Sequence, residues 1–235
     1  MRVSVVIPTW NEAQSIGRVI ADIPRPPVTE ILVVDRDSSD GTRHIAATLG
    51  ARVIVEPRRG YGRACLTGLQ HTIDPDIVVF LDGDYSDRPA ELPRIVEPII
   101  NGRADIVIGS RLSGARARGA LPLHSLFGNW LAARLIRLLY GVALTDLGPF
   151  RSARADVLRA LNLREAGYGW AVEMILRGAL LRARIVEVPV SYYPRIGVSK
   201  ITGTLGGSIG AAWCILSRIF QYRLQRKPAG ASTTP

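Results

Sequence analysis

The chain has 235 residues, 47% of them apolar, with a formal net charge of +10 and only two cysteines. The apolar fraction excludes wholesale disorder, and the length suits one α/β domain with an appendage or two small domains. Cys65 and Cys214 fall in separate predicted helices, which excludes a disulfide scaffold or a thiolate metal site and points to a reducing, cytoplasmic compartment.

Residues 3–7 read as a first buried strand, broken by Pro8-Thr9-Trp10-Asn11. Residues 12–21 have helical character, with Ile16, Val19 and Ile20 on one face and Asn11 as a candidate N-cap. Pro24-Arg25-Pro26-Pro27 is a stiff connector to a second strand over 30–35. A turn at 38–42 leads into a helix over 42–49, a third strand over 51–55 and a helix over 60–72. The fourth strand spans 77–81. Pro89 opens a helix running to Ile100, and a fifth strand covers 105–109. Strand and helix alternate with short loops, which predicts a doubly wound, mostly parallel sheet.

Beyond Arg111 the pattern changes. Residues 112–123 read as a loop and 126–140 as a helix that either packs on the core or lies in a membrane interface. An apolar turn at 146–151 precedes helices over 154–161 and 170–181 and a last strand over 184–190. Residues 203–227 form an amphipathic segment with Arg218, Arg223, Arg226 and Lys227 at its end, and 228–235 are expected to be disordered. The charge is uneven. Residues 1–102 carry 11 Lys and Arg against 14 Asp and Glu, whereas 103–235 carry 19 against 6. The basic half therefore suits a polyanionic or membrane partner. Residues 3–7 are too few for a signal peptide, and no run of about 20 apolar residues marks a membrane span.

Polar residues gather just after the strands: Trp10 and Glu12, Asp35 and Asp37, Arg58 and Arg59, Asp82 and Asp84. In an open α/β sheet these positions converge on one edge. The strand at 77–81 ends in Asp82-Gly83-Asp84, with Gly83 expected to let the backbone turn tightly between the two acids. Two close carboxylates suit a shared Mg²⁺ or Mn²⁺ and, through it, a diphosphate. An acidic turn is the plainer alternative. The first loop has no glycines, which argues against NAD or FAD. The aromatic residues sit mainly in apolar helices, so a nucleic-acid partner is not expected.

Three stretches, Val5 to Glu12, Val34 to Thr42 and Phe80 to Asp84, resemble the successive motifs of glycosyltransferase family 2 with the GT-A fold. Gly109-Ser110-Arg111, Asp146 to Arg151, Tyr168 to Met174, Val188 to Ser191 and Arg195 to Ile201 resemble its polyprenol-phosphate (dolichyl-phosphate) mannose and glucose synthase branch. The likeness covers residues 3–201. It implies a GT-A domain over 1–202, with a nucleotide-sugar half (1–111) and an acceptor half (112–202). It also implies inverting, metal-dependent transfer of a sugar from a GDP- or UDP-linked donor to a polyprenyl phosphate. The enzyme would be peripheral on the cytosolic face of the membrane.

Carried over residue by residue, the resemblance implies that Pro8, Trp10 and Glu12 contact the base and ribose and that Asp35 takes part in nucleotide binding. The family often has a second Asp directly after this one; here Arg36 stands there, with Asp37 next. Asp82 and Asp84 would hold Mg²⁺ or Mn²⁺, and Ser86 stands where the synthases carry a further polar ligand. Arg195, Ser199 and Lys200 match a loop that closes over the diphosphate and the acceptor phosphate; Arg111 matches an acceptor-side arginine. Arg118, His124 and Ser125 lie in a stretch that aligns less closely. A phosphate acceptor is already anionic near pH 7 and needs no base. A hydroxyl acceptor needs one, and Glu173 is the candidate.

Overall fold

In the computed structural model, which describes residues 1–197 and 205–224, every strand expected from the apolar runs is present. They are β1 (Val3–Thr9), β2 (Val28–Asp35), β3 (Arg52–Val55), β4 (Ile77–Phe80), β5 (Ile106–Ser110) and, near the C-terminus, β7 (Ile185–Pro189). Side chains alternate across the sheet, so Val5, Ile7, Val33 and Val79 face one core while Val6, Val34, Val78 and Phe80 face the other. Both faces are covered, which explains why these strands are apolar throughout rather than alternating with polar residues.

One layer holds α1 (Ile16–Ala21), α2 (Thr42–Thr48) and α4 (Leu92–Ile100). The other holds α3 (Tyr61–His71), α5 (Leu123–Tyr140), α6 (Ala155–Leu161), α7 (Trp170–Leu180) and part of α8 (Leu205–Leu224). Several boundaries shift from expectation. Helix α1 starts at Ile16 because residues 12–15 form a turn closed by the Ser15 and Ile16 amides on the Glu12 carbonyl. Ser15, not Asn11, is the N-cap position. Pro89–Glu91 is a short 3₁₀ turn ahead of α4, and α5 begins three residues earlier than its apolar pattern suggested.

With a further strand, β6 (Arg151–Arg154), the sheet order is β3-β2-β1-β4-β6-β5-β7. The chain winds outward from β1 through β2 to β3, then returns to place β4 on the other side of β1. Such a reversal opens a crevice at the strands' carboxyl ends. The sequence reading contained no strand at β6 (Arg151–Arg154), which runs antiparallel between β4 and β5. Arg-Ser-Ala-Arg carries no strand signature. Unpaired backbone groups on β4 and β5 supply the ladder instead, with Arg151 opposite both Phe80 and Ile108.

Just after β3, Glu56 is 4% exposed. It accepts hydrogen bonds from Arg58 Nε (2.8 Å) and Nη2 (2.7 Å) and from Thr67 Oγ1 on α3 (2.8 Å). Arg58 holds its carboxyl at about 2, below the usual 4.5. The folded value lies below the unfolded one, so this stabilisation is complete above pH 4.5 and is lost as the pH falls toward 2. Glu56→Gln is expected to lower the melting temperature at pH 7 and to flatten its fall between those two values. Parallel wild-type and variant curves through the acid range would contradict this.

Candidate active site

The loops after β1, β2 and β4, the start of α3 and the segment after β7 enclose a cleft of about 460 Å³. Pro8, Trp10, Glu12, Asp82, Asp84 and Arg195, six of the residues expected from sequence, line it together. Two close approaches make this possible. A Cβ on Gly83 would lie 2.8 Å from Thr9 Cγ2, so the β4 loop can rest on the β1 loop only with glycine there. The left-handed residue of this turn is Tyr85, at φ 61°, not Gly83. A Cβ on Gly62 would lie 2.2 Å from the Glu165 carbonyl oxygen. Its absence lets the 165–168 segment lie on the start of α3 and bring Tyr168 to the cleft wall.

The acid pair is held from both sides. Tyr61 Oη donates to Asp82 Oδ1 at 2.9 Å, and Ser86 donates to Asp84 Oδ1 through its hydroxyl (2.6 Å) and its amide (2.9 Å). Arg195 bridges Glu12 Oε1 (2.7 Å) and Asp84 Oδ2 (3.3 Å). Burial, and then the neighbouring Asp84 carboxylate, push Asp82 up to about 7. Asp87 is 1% exposed, and neither of its oxygens has a hydrogen-bond partner among the described residues. Burial, and then Asp82, push it well above the usual carboxylate range. Acidic groups thus crowd a space where Arg195 touches only part of the charge, an arrangement that suits a divalent cation. Among the described residues no set of three His, Cys, Asp or Glu side chains could hold a metal unaided. Two carboxylates plus substrate phosphate oxygens is a common way to hold Mg²⁺ or Mn²⁺.

Asp35 sits differently from expectation. It is fully buried, with its oxygens taken by the Ser38 amide (2.7 Å), the Ser38 hydroxyl (2.6 Å) and Thr9 Oγ1 (3.0 Å). It ties the β1 and β2 loops together and does not line the cleft. Asp37 is exposed and pairs with Arg43 at 3.1 Å. Arg36 lines the cleft instead, its guanidinium carbon 3.9 Å from the Trp10 ring centroid.

Arg111 lies in a separate pocket of about 140 Å³, with Ser125, Asn129 and Tyr192. Its Nε and Nη2 donate to the two oxygens of Asp146 at 2.7 and 2.8 Å, and its amide donates to the same carboxylate. Burial alone would raise Asp146; Arg111 outweighs it and holds the carboxyl below its ordinary value. Arg118 lines a neighbouring open groove, and His124 is exposed in the first turn of α5.

Glu173, the candidate base, is not on the cleft lining. Its carboxylate accepts from the Arg164 amide (3.0 Å), the Glu165 amide (2.8 Å), Arg177 Nε (3.0 Å) and Tyr222 Oη (2.6 Å). It joins α7 to the 164–165 segment and to α8. Ser199 and Lys200 lie outside the described residues. The sequence reading missed Tyr61, Asp87 and the roles of Asp146 and Tyr168. Tyr61 meets Asp82 and Asp146 meets Arg111 across 21 and 35 residues, and the burial of Asp87 and the approach of Tyr168 to the cleft depend on other elements, none of which a spacing rule reports.

An open α/β sheet with an acid pair in the crevice beside its strand reversal is the architecture of a GT-A nucleotide-sugar transferase. The chain belongs to glycosyl transferase family 2, whose family model matches residues 4–161. It is 36% identical over 221 residues to an undecaprenyl-phosphate mannosyltransferase of Micrococcus luteus, covering 88% of this chain and 90% of that one. It is 34% identical over 210 residues to a dolichyl-phosphate hexose transferase of Haloferax volcanii, covering 87% and 89%. Glucosyl-3-phosphoglycerate synthase of Mycobacterium tuberculosis, solved with Mn²⁺, UDP and glucosyl-3-phosphoglycerate, superposes with a TM-score of 0.72 at 28% identity, over 93% of this chain and 80% of that one.

Proposed function

We propose that this glycosyltransferase moves a hexose, mannose or glucose, from a nucleoside diphosphate sugar to a polyprenyl phosphate, with inversion and with Mg²⁺ or Mn²⁺. The observation that carries the reading is the Arg111 pocket, which continues into the first turns of α5. That helix leaves Leu123, Phe127, Trp130 and Leu138 exposed, with Arg134 and Arg137 exposed beside them. An arginine-lined pocket at the head of an apolar, arginine-flanked helix suits a phosphate carried on a hydrocarbon chain at an anionic membrane surface. Among the described residues no helix is long and apolar enough to cross a membrane, so the reading is one of peripheral attachment. The names of the two relatives accord with such an acceptor.

Within the cleft, Asp82 and Asp84 would hold the cation, which stabilises negative charge developing on the departing diphosphate. Tyr61 and Ser86 keep the two carboxylates aimed. Arg195 places positive charge beside the same oxygens, a contribution of about 3–4 kcal/mol for a well-placed group; the resemblance implies that Ser199 and Lys200 would add to it. Trp10 and Pro8 wall the nucleoside end. Arg111 orients the acceptor phosphate, whose anionic oxygen attacks the anomeric carbon without a base.

The superposition on glucosyl-3-phosphoglycerate synthase favours a second reading, a soluble hydroxyl acceptor bearing its own phosphate in the Arg111 pocket. Glu173→Gln tests whether that carboxylate serves as a base. A carboxylate engaged by Arg164, Glu165, Arg177 and Tyr222 is an anchor, so the variant should lose about 1–3 kcal/mol of stability. It should keep transfer to polyprenyl phosphate within about threefold per folded molecule, as expected when no group touching the substrate is altered. The direct test is turnover of GDP- and UDP-hexoses with undecaprenyl phosphate in anionic vesicles, against 3-phosphoglycerate in solution. Transfer only to 3-phosphoglycerate would overturn the lipid reading.

A further inference from the structure

We infer that Arg36 reads the base of the bound nucleotide and selects guanine over uracil. This rests on the nucleotide-sugar reading above. Arg36 directly follows Asp35 at the end of β2, and its amide donates to the Thr9 carbonyl at 2.9 Å, which fixes its backbone against the β1 loop. Its guanidinium carbon sits 3.9 Å from the centroid of the Trp10 ring, and both residues line the cleft. Among the described residues, no carboxylate pairs with that guanidinium. The two nearest in sequence are already engaged, Asp35 by Ser38 and Thr9 and Asp37 by Arg43. The cation is therefore restrained by an aromatic face while its N–H fork stays uncommitted.

The carboxylate just before Arg36 in the chain, Asp35, is closed to a base N–H. The acids that do line the cleft are engaged by Arg195 and Tyr61. What faces the base is a donor fork. Such a fork matches two adjacent acceptors, and guanine offers them at O6 and N7. Uracil separates its two carbonyl oxygens by the N3–H donor, and adenine places a donor beside N7, so each satisfies only one arm. A bidentate contact of this kind discriminates by about 10- to 100-fold. Stacking on Trp10 holds the fork in place before the ligand arrives, which lowers the ordering cost of binding.

The test is calorimetric titration of the full chain with GDP and with UDP in the presence of Mn²⁺. Wild type should bind GDP about 10- to 100-fold more tightly. Arg36→Ala should bring the two nucleotides within about threefold of each other. Arg36→Lys keeps a positive charge beside Trp10 but loses the fork. It should hold UDP affinity near the wild-type value while the preference for GDP collapses. Equal or tighter binding of UDP by wild type overturns the inference. So does a parallel weakening of GDP and UDP in both variants, which would place Arg36 on the diphosphate. Failure of either nucleotide to bind at all sinks the nucleotide-sugar reading itself, and this inference with it.

Discussion

Asp84→Asn is expected to lower kcat by about 100- to 1,000-fold and to abolish the Mn²⁺ dependence of nucleotide binding, while the protein stays folded. Asp82→Asn should do the same to activity but raise the melting temperature of metal-free protein by a few degrees. The difference follows from their surroundings. Asp84 is satisfied by Ser86 and Arg195, so its charge is compensated. Asp82 has Tyr61 as its direct partner, and burial together with Asp84 raises it to about 7, so its ionised form strains the fold. Removing that charge relieves like-charge repulsion, the trade of stability for function common at active sites. Thermal melts with and without Mn²⁺, alongside turnover, check both halves. If the metal stabilises wild type and both variants equally, the acid pair is not where it binds.

The second large effect is expected at Asp146, which touches no residue of the donor cleft lining. Asp146→Ala leaves the Arg111 guanidinium without the bidentate partner that holds it. Stranding a buried charge costs about 3–5 kcal/mol, which in a domain of this size lowers the melting temperature by roughly 10 °C. Replacing both members, Arg111→Met with Asp146→Leu, should recover most of that stability, because a buried ion pair contributes little net over apolar packing. Turnover should stay low in the double variant, since the acceptor-side cation is gone. A double variant that regains activity along with stability would remove Arg111 from the acceptor site and leave the pair a purely structural role.

Much of the fold was legible because buried parallel strands need continuous β-branched and apolar runs, and β1, β2, β4 and β5 supply them. Strand β6 escaped because its pairing is imposed by its neighbours' backbones and not by its own side chains. The acid pair was legible as two carboxylates at a strand end, and Trp10, Glu12 and Arg195 as matches to ordered motifs. The roles of Asp35 and Glu173 were not. The resemblance implies nucleotide binding for Asp35, and only a hydroxyl acceptor would need Glu173 as base; both carboxylates are held by protein donors. A sequence displays which groups ionise, but not which amides and hydroxyls reach them first.

Local chemistry along the chain therefore determined the parallel strands of the sheet, the edge at which chemistry gathers and the membership in glycosyl transferase family 2. These depend on side-chain pattern over a few residues, which folding preserves. Tertiary structure decided which polar groups stay free at that edge. Tyr61 meets Asp82 across 21 residues, Arg111 meets Asp146 across 35, and Arg195 reaches Glu12 across 183. Hydrogen bonds of about 3 Å tolerate little error, so these pairings exist only once the two core layers have closed on the sheet.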